Sequence, residues 1–137
     1  MTSTPVALSP NSIGRRIGYA ALGLAAVIAT VLVARTGHGW AVSVAWIFAL
    51  APDLPLLAGM RGGRLNPRAV PAYNATHRLV GPLVTLGAAA VAAVTSAGGR
   101  GLSATLAAAG LAWLAHVLID RACGYGLRNR QGWQRDR

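Results

Sequence analysis

The fold is decided by residues 17–34, which read IGYAALGLAAVIATVLVA and contain no charged side chain. Eighteen residues of α-helix are about 27 Å long, which is close to the hydrocarbon thickness of a bilayer. Three further apolar stretches of similar length lie at about 40–59, 75–97 and 102–119. The pattern predicts an all-α fold, an integral membrane bundle of four transmembrane helices.

The composition of the chain agrees with a lipid environment. Of its 137 residues, 54% are hydrophobic and only 12% are charged, so it is more apolar than an ordinary soluble domain. A net charge of +10 would also suit a nucleic-acid binder. However, basic residues between hydrophobic spans are what the positive-inside rule produces, and they attract anionic head groups. We therefore expect membrane lipids as partners and no nucleic acid.

The distribution of arginine predicts the orientation of the bundle. A disordered cytoplasmic tail is expected at 1–16, a transmembrane domain at 17–119 and a basic cytoplasmic segment at 120–137. Eleven of the thirteen Arg lie at one end of the helices, and only Arg35 and Arg100 lie in the turns at the other end. Because translocation of basic loops is disfavoured, the sequence predicts an N-in/C-in, multi-pass protein of the bacterial cytoplasmic (inner) membrane.

Four ionisable side chains are expected at one depth, near the cytoplasmic ends of the helices: Asp53, His77, His116 and Asp120. Ionisable groups at membrane depth are costly and usually functional. Two imidazoles and two carboxylates suit zinc, manganese or ferrous iron with an open position for water. Without a metal, the bundle would instead be held together by hydrogen bonds across it from His116, Asp120, Asp53 and Asn74. A proton relay or ion path is the third possibility.

The surroundings of these four residues predict a pocket. Trp46 and Trp113 lie one or two turns deeper on roughly the same helical faces as Asp53 and His116, while Asn74 precedes His77 by three positions. This spacing predicts a pocket with an aromatic floor and a polar mouth. Three basic residues near the mouth are expected to bind an anionic group: Arg61, Arg64 and Arg78.

A series of short motifs carries a family resemblance. They are Ala51-Pro52-Asp53-Leu54, then Tyr73-Asn74 followed by His77 and Pro82, then Trp113, Ala115-His116, Asp120-Arg121 and Gly124-Tyr125-Gly126-Leu127. Together they resemble an uncharacterised bacterial membrane family called domain of unknown function 4260. The resemblance runs from the second span to the C-terminus and implies a multi-helix membrane protein, without an established activity.

A looser likeness is to small inner-membrane proteins described as metal-dependent hydrolases. These carry a Pro-Asp string at a helix end, a downstream His and a His-x-x-x-Asp pair, and the matching positions here are Pro52-Asp53, His77 and His116 with Asp120. The likeness implies a metal ligand set, and it is an analogy of layout.

Three hypotheses about function follow. The leading one is a metal-dependent hydrolase that acts on a lipid-like substrate at the cytoplasmic membrane face, with Asp53 and Asp120 as catalytic carboxylates, either as ligands or as a general base. The second is a non-catalytic protein whose polar residues hold the bundle or a partner together. The third is a small transporter or ion path, which requires a homo-oligomer because four short helices enclose little volume.

Overall fold

The computed structural model describes residues 10–36, 39–95 and 99–135. It contains five α-helices within this described part: α1 (Pro10–Thr36), α2 (Trp40–Leu50), α3 (Val70–Thr76), α4 (Val80–Thr95) and α5 (Gly99–Cys123). A hairpin of two short antiparallel strands, β1 (Met60–Arg61) and β2 (Arg64–Leu65), lies between α2 and α3.

Four helical stretches of the described chain are long and apolar enough to cross a membrane: Ser12–Thr36, Trp40–Ala58, Pro67–Thr95 and Gly99–Cys123. The predicted all-α, four-span fold class is therefore confirmed. The bounds differ in places, because α1 begins at Pro10 inside the predicted tail and α5 continues to Cys123. Residues 1–9 of that tail lie outside the described residues.

Helix α5 is the centre of the bundle, and α1, α2 and α4 each pack against it. Its buried face consists largely of small residues: Ala108, Ala109, Gly110, Ala112 and Ala115. Small side chains let helices approach closely, which matters in lipid because apolar burial provides little driving force there. A Cβ at Gly110 would lie 2.8 Å from Cγ of Leu86, so α4 and α5 are in close contact at this glycine.

Prolines interrupt the second and third spans. The α-helical part of the second span ends at Leu50 and continues as the 3₁₀ segment Ala51–Ala58, which contains Pro52 and Pro55. The predicted helix at 75–97 is instead interrupted at residues 77–79, between α3 and α4. Its last two residues, 96–97, lie outside the described residues. Pro82 cannot donate a backbone hydrogen bond and is accommodated in the first turn of α4, where no donor is needed.

The chain after α5 folds back over the hairpin. The amide of Leu65 donates to the carbonyl of Gly132 at 3.0 Å. The buried guanidinium of Arg128 donates to the carbonyls of Gly63 and Gly132, at 2.9 and 3.0 Å. The described part of the basic segment is thus fixed on the hairpin, close to the end of α3.

Candidate metal centre

Four side chains from three segments meet at one end of the bundle, and we call them the His–Asp cluster: Asp53, His77, His116 and Asp120. Asp53 comes from the 3₁₀ segment that follows α2 and contains Pro52 and Pro55. His77 is the residue that follows α3, at the break before α4. The other two lie one turn apart on α5.

The distances within the His–Asp cluster are short. Nε2 of His77 lies 3.4 Å from Oδ1 of Asp53 and 3.2 Å from Oδ2 of Asp120. Nε2 of His116 lies 3.6 Å and 3.7 Å from the same two oxygens. The two Nε2 atoms are 3.3 Å apart. One atom of each residue therefore faces the same small volume.

His77 is held in a defined orientation. Its Nδ1 lies 2.9 Å from the carbonyl oxygen of Tyr73 and 3.1 Å from the hydroxyl of Thr76. Its ring stacks on that of Tyr73, with centroids 3.8 Å apart, and the side chain is buried. A carbonyl oxygen can only accept a hydrogen bond, so Nδ1 carries a proton and a neutral His77 directs the lone pair of Nε2 at the cluster. Histidine ligands of metals are commonly oriented in this way.

Five of the six spacings within the cluster are close to those of a tetrahedral metal site. Ligand atoms at 2.0–2.1 Å from a tetrahedral ion lie about 3.3 Å apart, and the five distances given above range from 3.2 to 3.7 Å. All four ligand atoms lie within 4.8 Å of one another. Without a cation, the Nε2 lone pair of a neutral His77 would face two carboxylates, and a neutral His116 could donate to them only as its Nε2–H tautomer. Three of these groups would bind a divalent ion, and the fourth carboxylate or imidazole would lie beside the position left for water.

Exposure distinguishes the two carboxylates. The side chain of Asp53 is 45% exposed, whereas that of Asp120 is 23% exposed and those of the two histidines are largely covered. Asp53 is therefore the more accessible acidic group, and Asp120 is the more enclosed one. The predicted set of four ligands is brought together as a whole.

The two tryptophans predicted to line the pocket lie in different surroundings in the structure. Trp46 lines an apolar groove that also includes His116 and Asp120. Trp113 is not among the described residues that line this groove, because its ring packs on Gly81 and Phe48 and its Nε1 donates to the carbonyl of Thr76 at 2.7 Å. Trp113 therefore supports the segment that carries His77.

The side chain of Asn74 contacts the C-terminal segment. Its side-chain amide donates to the carbonyl of Arg128 at 2.9 Å, and its Oδ1 accepts from the amide of the same residue at 2.8 Å. This paired contact attaches the C-terminal segment to α3. Asn74 is therefore an anchor for the backbone that covers this end of the molecule.

The three arginines expected to bind an anion are all exposed. Arg61 and Arg64 are paired across the hairpin, and Nε of Arg64 donates to the carbonyl of Gln131 at 2.7 Å. Arg78 directly follows His77. Among the described residues, no hydrogen bond or ion pair joins these arginines to the His–Asp cluster.

Three residues that support the cluster were not predicted from the sequence. Tyr73 stacks on His77, and Arg128 lies over the ring of Tyr73, with its guanidinium carbon 5.1 Å from the ring centroid. The hydroxyl of Thr76 donates to the carbonyl of Pro52 at 3.0 Å and so connects α3 to the segment that carries Asp53. In the sequence, Tyr73 and Thr76 lie four and one residues before His77, and this short spacing could have indicated that both contact it.

Comparison with known proteins gives one match. The model of a family described as a domain of unknown function, number 4260, matches residues 19–136. No curated protein and no solved structure is similar enough to the chain to count as a match. The family match covers most of the chain, including all four residues of the His–Asp cluster.

Proposed function

The chain belongs to the family described as domain of unknown function 4260, and we propose that it is a membrane-embedded, metal-dependent hydrolase with the His–Asp cluster as its metal centre. Its substrate would be lipid-like and would reach the cluster at the cytoplasmic face of a bacterial inner membrane. The N-in/C-in orientation is part of this proposal, because it places the arginine-rich end of the bundle, and with it the cluster, on the cytoplasmic side.

One observation carries the proposal: two imidazole nitrogens and two carboxylate oxygens, from three separate segments, lie within 4.8 Å of one another. Zinc, manganese and ferrous iron bind this mixture of nitrogen and oxygen ligands. The carbonyl that orients His77 provides the outer support that metal-binding histidines require.

The residues of the cluster have distinct roles in this proposal. When bound, a divalent ion supplies the Lewis acidity that lowers the pKa of water and polarises the bond to be hydrolysed. His77, His116 and Asp120 are the more enclosed groups and act as ligands. Asp53 is the most exposed, so it accepts the proton from the attacking water and passes it to the leaving group. Arg61, Arg64 and Arg78 attract an anionic head group to this face.

A second candidate function rests on the same contacts. Nε2 of His77 lies within 3.4 Å of both Asp53 and Asp120, so a doubly protonated His77 would pair with both carboxylates without a metal. The cluster would then hold α3, α5 and the 3₁₀ segment together and have no catalytic role. A metal measurement separates the two candidates.

The decisive experiment is elemental analysis of the detergent-purified, untagged chain, alongside the Asp53→Asn, His116→Ala double variant. His38→Ala is the control, since His38 is the one histidine outside the cluster. We expect close to one zinc, manganese or iron per chain in the wild type and the control, and none in the double variant. Zinc at 100 times its Kd should also stabilise the wild type against unfolding by about 2.7 kcal/mol.

The hydrolase part of the proposal needs a separate assay. Esters and phosphate esters of long-chain alcohols are screened with the metal-loaded protein, and turnover must disappear in His116→Ala. Turnover that survives in this variant would refute the proposed centre. Absence of metal from the wild type after incubation with each ion would favour the non-catalytic network.

A further inference from the structure

An apolar groove runs along the bundle between α1 and α2, with α5 as its floor. It has a volume of about 480 Å³, and ten of its fourteen lining residues are aliphatic or aromatic, the others being Thr30, Arg35, His116 and Asp120. The hydroxyl of Thr30, one of the few polar groups on its wall, donates to the carbonyl of Ala26 and is satisfied within α1. Between Arg35 at one end and His116 and Asp120 at the other, the groove therefore offers an apolar surface.

Near the α1–α2 turn the groove lies against a cluster of small residues. Ala34 of α1, Ala41 and Ala45 of α2, and Ala108 and Ala112 of α5 form this buried cluster where the three helices meet. Ala34, Ala45 and Ala112 also line the groove, together with the exposed Arg35. Helices α1 and α2 both pack mainly on α5 and little on each other, which leaves the groove between them.

The other end reaches the His–Asp cluster, because His116 and Asp120 are themselves part of the groove lining. From Ala112 to Asp120 the helix α5 rises by about 12 Å. An extended alkyl chain advances slightly less than one carbon–carbon bond length per carbon, so about ten carbons fit between the two ends. The groove has the volume of a small-molecule site, and this volume is too small for a lipid with two alkyl chains side by side.

We infer that this groove binds the single alkyl chain of the substrate, with the polar end of that molecule at His116 and Asp120 and the tail directed at the alanine cluster. The inference rests on the proposed function, because it identifies the substrate class of the same site. A single-chain amphiphile in the inner leaflet has this orientation, with its head at the cytoplasmic surface and its tail in the bilayer core. It would enter sideways between α1 and α2.

The test uses an alcohol of about ten carbons with a photoreactive diazirine at its methyl end, added to the full-length protein in detergent with a chelator present. A hydroxyl head can donate to the carboxylates without a metal, so labelling does not depend on metal binding. Adducts are located by mass spectrometry. We expect them on the groove walls, above all near Val31, Trp46 and Ala45.

Val31→Trp and Leu32→Trp form a matched pair of variants. Val31 lines the groove, whereas Leu32 is its exposed neighbour on α1 and does not line it. An indole at position 31 should fill the groove and lower labelling about tenfold, while Leu32→Trp should leave labelling unchanged. Equal labelling in both variants, or adducts distributed over exposed residues of α4 such as Val84 and Val91, would overturn the inference.

The outcomes also separate this inference from the proposed function. Groove labelling, together with elemental analysis that finds no metal in the wild type after incubation with each ion, would support the alkyl-chain site and refute the metal centre. Stoichiometric metal without groove labelling would support the metal centre and refute the alkyl-chain site. The substrate would then reach the cluster by another route.

Discussion

Replacing Gly81 with alanine should destabilise the bundle through the support of His77. A Cβ at Gly81 would overlap Cη2 of Trp113 and lie 2.6 Å from its Cζ2. The indole cannot move away freely, because the ring of Phe48 contacts it, with the two ring centroids 5.7 Å apart. Displacing the ring would also break the hydrogen bond from its Nε1 to the carbonyl of Thr76, which precedes His77.

The expected cost follows from these contacts. Overpacking of a close contact costs about 1–3 kcal/mol, and loss of the indole hydrogen bond adds about 0.5–1.5 kcal/mol. Alanine in place of glycine regains up to about 1 kcal/mol of helix propensity. We therefore expect Gly81→Ala to lower the free energy of unfolding by about 2 kcal/mol.

Gly87 provides the matched control on the same helix. A Cβ at this position meets no atom within 4 Å, so Gly87→Ala should stabilise the protein by about 0.5–1 kcal/mol through helix propensity alone. Thermal unfolding of both variants in the same detergent, followed by circular dichroism, should give a lower Tm for Gly81→Ala and an unchanged or higher Tm for Gly87→Ala. Equal Tm values for the two variants would refute the packing of Trp113 on α4.

Three further changes test other parts of the structure. Thr76→Val should weaken zinc binding by about 10- to 100-fold by loosening the support of the ligands, whereas Thr85→Val, a threonine bonded within α4, should leave it unchanged in the same titration. Gly132→Ala should cost at least about 2 kcal/mol, because its φ is +92° and its Cβ would meet the Leu65 carbonyl oxygen, and faster amide exchange in the hairpin would report this. Cys123 is exposed at the end of α5, so an impermeant maleimide should label it in inverted vesicles and not in intact spheroplasts. A His38→Cys, Cys123→Ser variant should show the reverse pattern, and labelling of both cysteines from the same side would contradict the N-in/C-in orientation.

Much of the fold could be predicted because membrane spans are a local property of the chain. Every backbone group in hydrocarbon must be hydrogen-bonded internally, so an apolar stretch such as 17–34 is restricted to a helix. The i, i+4 spacing of His116 and Asp120 likewise places both on one face of α5 whatever else packs nearby. The arginines at one end of the helices required no tertiary information either.

The tertiary structure decided which atoms meet. The break at 77–79 and the 3₁₀ segment after α2 direct His77 and Asp53 to the end of α5, and no periodicity in the sequence shows where a chain will turn after a proline. The partner of Asn74 lies 54 residues away on the C-terminal segment, and Trp113 is held by Gly81 on another helix. These are contacts between distant parts of the chain, so spacing along one helix identified the ligands of the candidate centre but not the residues that hold them in place.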